Sequence, residues 1–184
     1  MRAPAVFLLS AALATPTADY QRAVRKIEMI QADRAARRSI VLFTPAEINA
    51  YAATEVRAAV PAGLRNPRVT LNSGGAVGTA LIDFVALKRA QGDPPGRLMA
   101  WLLEGEHPVA VSVTLRSGGG RCTVYVNSVE VGGIPIRGAM LNWLIENYLL
   151  PRYPDAKIGK PFELEHNMDR IEVNRSDVKV VMGG

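Results

Sequence analysis

Two short segments gather the side chains that most often carry chemistry. "EGEHP" places His107 beside Glu104 and Glu106, and "FELEHN" places His166 beside Glu163 and Glu165. A histidine flanked by carboxylates can take up a proton, or ligate a metal where further ligands converge at local spacing. The chain has no other histidine and holds neither an HxH nor an HExxH pattern. Both histidines therefore read as surface residues at strand ends. Glu163 and Glu165 share a strand face, outward if Phe162 and Leu164 point inward, and nothing recommends them as a glycosidase pair. No Gly-x-Ser-x-Gly elbow supplies an acyl-transfer nucleophile. The single cysteine, Cys122, lies in the strand-like "RCTVYVNSVEV" and reads as a buried structural thiol, so no internal disulfide can form. "NSGGAVG" and "RSGGGRC" are glycine-rich, but neither has the Gly-Lys-Ser/Thr of a phosphate loop, and strands follow both. These residues predict no enzyme, no metal site and no cofactor.

The elements that would position any site are easier to read. "FTPAEINAYAATEVRAAVPAG" predicts a helix with Thr44 as N-cap, Pro45 at its first position and Glu47 closing a capping box. Ile48, Tyr51 (or Ala52) and Val56 form its apolar line. Two glycine-turned hairpins follow, over residues 68–84 and 113–131, both containing Val-Thr-Leu and Ser-Gly-Gly. Val109, Val111, Val113 and Leu115 alternate with Ala110, Ser112, Thr114 and Arg116, which predicts an antiparallel sheet with one wet face. Between the hairpins, Leu98, Trp101 and Leu102 form a short apolar helical face flanked by Gly and Pro, either a connecting helix or a lid. Phe162/Leu164, Ile171/Val173 and Val178/Val180 repeat the strand alternation near the C-terminus. A helix after Gly133 carries Met140, Leu141, Trp143, Leu144, Ile145, Tyr148, Leu149 and Leu150 around most of its circumference. One flat sheet needs only a stripe of about 100° or somewhat more, so this helix offers surplus apolar surface.

"MRAPAVFLLSAALATPTADY" has one arginine, an apolar run and small residues at its end, the layout of a secretory signal peptide cut after Ala14 or Ala18. No Cys follows that run. Export without disulfides predicts a periplasmic location in a Gram-negative bacterium. Without Arg2 the chain holds 21 basic and 17 acidic residues. Residues 19–38 account for six of the basic and three of the acidic ones and read as a basic N-terminal helix able to meet anionic membrane headgroups. Basic residues are not interleaved with aromatics, which argues against nucleic acid. The organisation is a signal peptide over 1–18, the basic helix over 19–38 and a single α+β domain over 39–184.

The order of these elements, with the short echoes "TPAEINAY" and "PFEL", resembles small exported bacterial lipid-binding proteins of the tubular lipid-binding (TULIP-like) type. The resemblance covers about residues 40–182 and departs from the lipoprotein members by lacking a lipobox cysteine. It implies a strongly curved antiparallel sheet of seven or eight strands wrapped around a long apolar helix, with further N-terminal helices. It also implies a non-enzymatic function, the binding or carriage of a lipid or other apolar ligand in a groove between helix and sheet. Strand alternation and helical phase select Ile48, Tyr51, Leu81, Val111, Val113, Val124, Met140 and Leu144 as groove lining. Trp143 is expected against the concave sheet face and Trp101 near the opening. An exported protein-interaction or assembly domain with a fully packed core would show the same helix.

Overall fold

A computed structural model describes residues 17–59, 63–90, 92, 104–149 and 158–184, apart from the side chains of 57, 59, 148 and 149. The apolar N-terminal run and the segment carrying Leu98, Trp101 and Leu102 lie outside the described residues.

Helix α1 spans Ala18–Gln31. Its start is set by Thr17, whose hydroxyl accepts the Tyr20 N–H at 3.2 Å. Its end falls before Arg38, where the sequence had placed it. Asp33 and Arg38 adopt positive φ (52° and 56°), and the Ser39 N–H turns back onto the Ala36 carbonyl at 3.1 Å. The basic segment is thus a helix followed by a tight connection. Strand β1 (Ile40–Phe43) follows, then helix α2 (Pro45–Ala59). The capping box is present in both directions: the Glu47 N–H donates to Thr44 Oγ1 at 3.2 Å, and the Thr44 N–H donates to Glu47 Oε2 at 2.9 Å.

Strands β2 (Leu64–Asn72) and β3 (Gly75–Asp83) form the first expected hairpin. Helix α3 (Phe84–Ala90) leaves β3 directly, with the Asp83 carboxylate accepting the Ala86 N–H at 2.8 Å. Strands β4 (Glu106–Gly118) and β5 (Arg121–Val131) form the second hairpin. Gly119 and Gly120, both at positive φ, make its two-residue turn. Gly132 and Gly133 make another such turn into β6 (Ile134–Ile136), a strand where the spacing predicts the start of a helix. Helix α4 is only Gly138–Leu144 and continues as one π-helical segment, Ile145–Leu149. The described part of the expected long helix is therefore two shorter pieces. Strands β7 (Phe162–Glu163), β8 (Met168–Val173) and β9 (Val178–Met182) complete the described elements.

The class is α+β and the pairing antiparallel, as expected. The strands nevertheless divide into two sheets, one of order β1-β9-β8 and one of order β2-β3-β4-β5-β6 with β7 also on β5. Period-2 alternation reports that a strand has a buried face and not which strand lies beside it, so it could not show this division. The sheets are joined at the hairpin tips. The Gly74 N–H donates to the Val173 carbonyl and the Gly120 N–H to the Asp169 carbonyl, both at 2.8 Å. Ser117 Oγ bridges both backbone groups of Ile171 at 2.7 Å.

One face of the small sheet builds a core with both N-terminal helices. Ile30 of α1, Val41 and Phe43 of β1, and Val180 and Met182 of β9 are buried together, with Ile27, Ile48 and Ile171 packed around them. Each such aliphatic contributes about 1.5–3 kcal/mol by leaving water. Helix α1 is therefore part of the folded unit, not a separate basic arm.

Candidate functional site

The larger sheet has one consistently apolar face, fixed by register. Val109, Val111, Val113 and Leu115 of β4 stand opposite Val131, Val129, Val126 and Val124 of β5. A shift between Ser112 and Val113 places the extra residue, Asn127, so that the valines stay on one side. Leu71, Ala76, Ile136 and Phe162 extend the face through β2, β3, β6 and β7. Val109, Val129, Ile136 and Cys122 are buried, while Val111, Val113, Val124 and Val126 are only half-buried. Helix α4 begins two residues after Ile136 and buries none of its residues. Met140 is 59% exposed, and Trp143 and Leu144 are half-buried. The Asn147 amide donates to the Trp143 carbonyl at 2.9 Å within this helix and its π-helical continuation.

The ten groove candidates separate accordingly. Val111, Val113 and Val124 share the apolar sheet face. Met140, Trp143 and Leu144 share the short helix that follows it. Leu81 does not join them: it pairs with Pro108, one residue out of phase with the Ala80–Val109 pair, and so lies on the opposite face. Strand β3 is rich in Gly and Ala, so its sequence gave no phase. Ile48 packs into the small-sheet core. Tyr51 faces α1, its ring stacked on Tyr20 at 6.2 Å between centroids. In the apolar line of α2, Ile48 is covered by the small-sheet core and Tyr51 by α1. Trp101 lies outside the described residues.

On the opposite face, Leu81 lines an open cleft of about 300 Å³ with Asn66, Thr79, Pro108, Ala110 and Glu130. Leu81 and Pro108 are its larger apolar residues, and Glu130 adds one exposed carboxylate.

The polar groups are mostly used in holding the fold. Glu47 is 1% exposed. Lys26 Nζ lies 2.7 Å from both its oxygens and from the Leu42 carbonyl, and Arg22 Nε lies at 3.4 Å. Burial raises the Glu47 pKa, but the Lys26 hydrogen bond, the Thr44 N–H and the two cations together bring it below the usual carboxylate value. Tyr20 donates its hydroxyl proton to Glu55 at 2.6 Å, a bond that raises the Tyr20 pKa. Asn49 of α2 has no counterpart in the sequence reading. Its amide donates to the Val69 carbonyl and its oxygen accepts the Val69 N–H, both at 2.8 Å. The side chain thus occupies the free edge of β2 as a strand would. Its partner is 20 residues away, so no local pattern marks it.

Cys122 is buried as expected, and burial pushes its thiol pKa up. The histidines differ from the surface reading. His107 is half-buried, with its ring against Phe84 and a buried Nε2 that has no hydrogen-bond partner among the described residues. His166 lies 3.5 Å from Asp33 and 3.8 Å from Glu165. Among the described residues, no three His, Cys, Asp or Glu side chains are grouped to hold a metal, and no helix is long and apolar enough to cross a membrane. No protein family, curated protein or solved structure matches the chain.

Proposed function

We propose that this chain is a non-enzymatic binder or carrier of a lipid or other apolar ligand, held between α4 and the valine-rich face of the larger sheet. The observation that carries the reading is a pair of incompletely buried apolar surfaces joined by one short link. Val111, Val113, Val124 and Val126 are half-buried, and the helix leaving the edge of their sheet buries no residue. Ligand sites of this kind are concave, mostly apolar and largely preformed. The TULIP-like layout, with the sheet curving around the helix, belongs to this proposal, as do export and a periplasmic location. Processing after Ala14 would leave Thr17 to cap α1, whereas processing after Ala18 would remove that cap.

The test is uptake of a fluorescent fatty acid or phospholipid by the purified protein, together with lipid extraction and native mass spectrometry of protein from a bacterial periplasm. Bound lipid and saturable uptake are expected. Absence of both at micromolar ligand defeats the reading. A second reading, an exported interaction domain, draws on the 65% exposure of Ile134 on the edge strand β6 and the 59% exposure of Met140 on α4. It predicts a clean apo mass and a protein partner lost on Ile134→Asp.

A further inference from the structure

We propose that the outer face of β1, with the connection through Arg34, Arg37 and Arg38, docks the protein on an anionic phospholipid surface. The inference goes beyond ligand carriage and does not depend on it. It starts from how the basic segment is used. Arg22 pairs with Asp19 and approaches Glu47, and Lys26 is held by Glu47, so two cations of α1 are engaged internally. Arg34, Arg37 and Arg38 lie beyond the helix, are exposed, and have no ion-pair partner among the described residues. From Arg34 to Leu42 the chain has three arginines and no acidic residue.

That cationic connection runs straight into two exposed aliphatics. Ile40 is 58% exposed and Leu42 is 41% exposed, both facing away from the core that Val41 and Phe43 enter. Across the ladder Ile40 stands beside Val181, and Leu42 beside Lys179. Of the neighbouring acids, Asp169 and Glu172 hold Arg170; Asp33 and Glu165 are exposed, at 3.5 and 3.8 Å from His166. The face therefore offers two aliphatic side chains that follow three exposed arginines in the chain and stand beside Lys179 across the ladder, the chemistry of an interfacial contact with acyl chains below and phosphates around. Strand addition by another chain fits less well. The Leu42 carbonyl, which points off the edge of β1, is already taken by Lys26 at 2.7 Å.

Flotation with vesicles of phosphatidylcholine, alone or mixed with phosphatidylglycerol, tests the docking. Wild-type protein is expected to float with the mixed vesicles only, and high salt should weaken the association. The double variant R37E/R38E should bind the mixed vesicles at least about tenfold more weakly. Ile40→Ser with Leu42→Ser should weaken binding without changing net charge. Arg89→Glu, on α3 at the far end of β3, makes the same charge change as Arg37→Glu and should lose much less. Circular dichroism and Tm establish that each variant is folded. Binding that ignores phosphatidylglycerol, an Arg89→Glu loss equal to that of Arg37→Glu, or indifference to the Ile40/Leu42 change each refutes the proposal. So does a dimer in vesicle-free solution that Ile40→Ser dissociates. Fatty-acid uptake in solution is scored separately, so failure of docking with uptake intact rejects the docking surface alone.

Discussion

Glu47 shows how one carboxylate can serve two levels of structure. Its oxygens cap α2 through the Thr44 N–H and tie α1 to that cap through Lys26. The Thr-x-x-Glu spacing made the local half legible. The Lys26 half was not, because the partner lies 21 residues upstream on another helix. Breaking the pair by Lys26→Met should cost about 2–3 kcal/mol, below the ~3–5 of a fully buried pair because Lys26 keeps 29% of its side-chain exposure. The pH dependence follows from the lowered pKa. The unfolded chain binds the Glu47 proton at higher pH than the folded one, so this carboxylate's contribution is complete above its ordinary value of 4.5 and is lost as pH falls through the folded value. Urea unfolding of wild type and Glu47→Gln at several acidic pH values should show a shallower acid-side decline in the variant. An equal decline would remove Glu47 from the account. Asn49→Ala makes a separate prediction. It leaves both backbone groups of Val69 without their partner, should destabilise by about 1–3 kcal/mol, and should speed amide exchange at Val69.

Elements were legible where a local rule is strong and obscure where pairing decides. The glycine hairpins, the capping box and the valine alternation follow from spacing alone. The division into two sheets depends on hydrogen bonds between distant strands, as where β1 joins β9. The helix after Gly133 was overextended because Ile134, Pro135 and Ile136 fit an apolar helical pattern as readily as an edge strand. Gly75 gives the element-scale prediction. A Cβ there would sit 2.1 Å from the Val113 carbonyl oxygen, in the backbone of the neighbouring strand. Backbone cannot swing aside as a side-chain end can. Gly75→Ala should therefore force β3 away from β4 and cost about 1–3 kcal/mol or more. Gly78 pairs with Val111 in the same two strands and has open space at its Cβ position, so Gly78→Ala is the control and should cost far less. Equal losses of Tm would mean that strand propensity, not close approach, sets the requirement.

At the scale of the whole molecule, the question is whether the unused apolar surface is occupied by a ligand. Of the residues chosen by spacing, three valines share one sheet face and three residues share α4, while Ile48, Tyr51 and Leu81 turn elsewhere. Those three were lost because helical phase and strand alternation choose a face without saying what covers it. The chain has two tryptophans, Trp101 and Trp143. In Trp101→Phe, emission reports Trp143 alone, which is half-buried on the helix that would line the groove. A bound acyl chain should replace water around the indole, shift the emission to the blue, and, when brominated, quench it with the same affinity that uptake gives. Leu144→Arg would place a charge on that helix, and its desolvation opposes entry of an apolar chain. The variant should therefore remain folded by circular dichroism while losing both the blue shift and uptake. Truncating Trp143 to Ala should cost about 1–3 kcal/mol, less than the ~3–5 of a fully buried aromatic, because the side chain is only half covered without ligand. A loss at the upper figure, with emission already blue in delipidated protein and unmoved by brominated acyl chains, would mean that protein alone fills the space. The interaction-domain reading would then account for the exposed Ile134 and Met140.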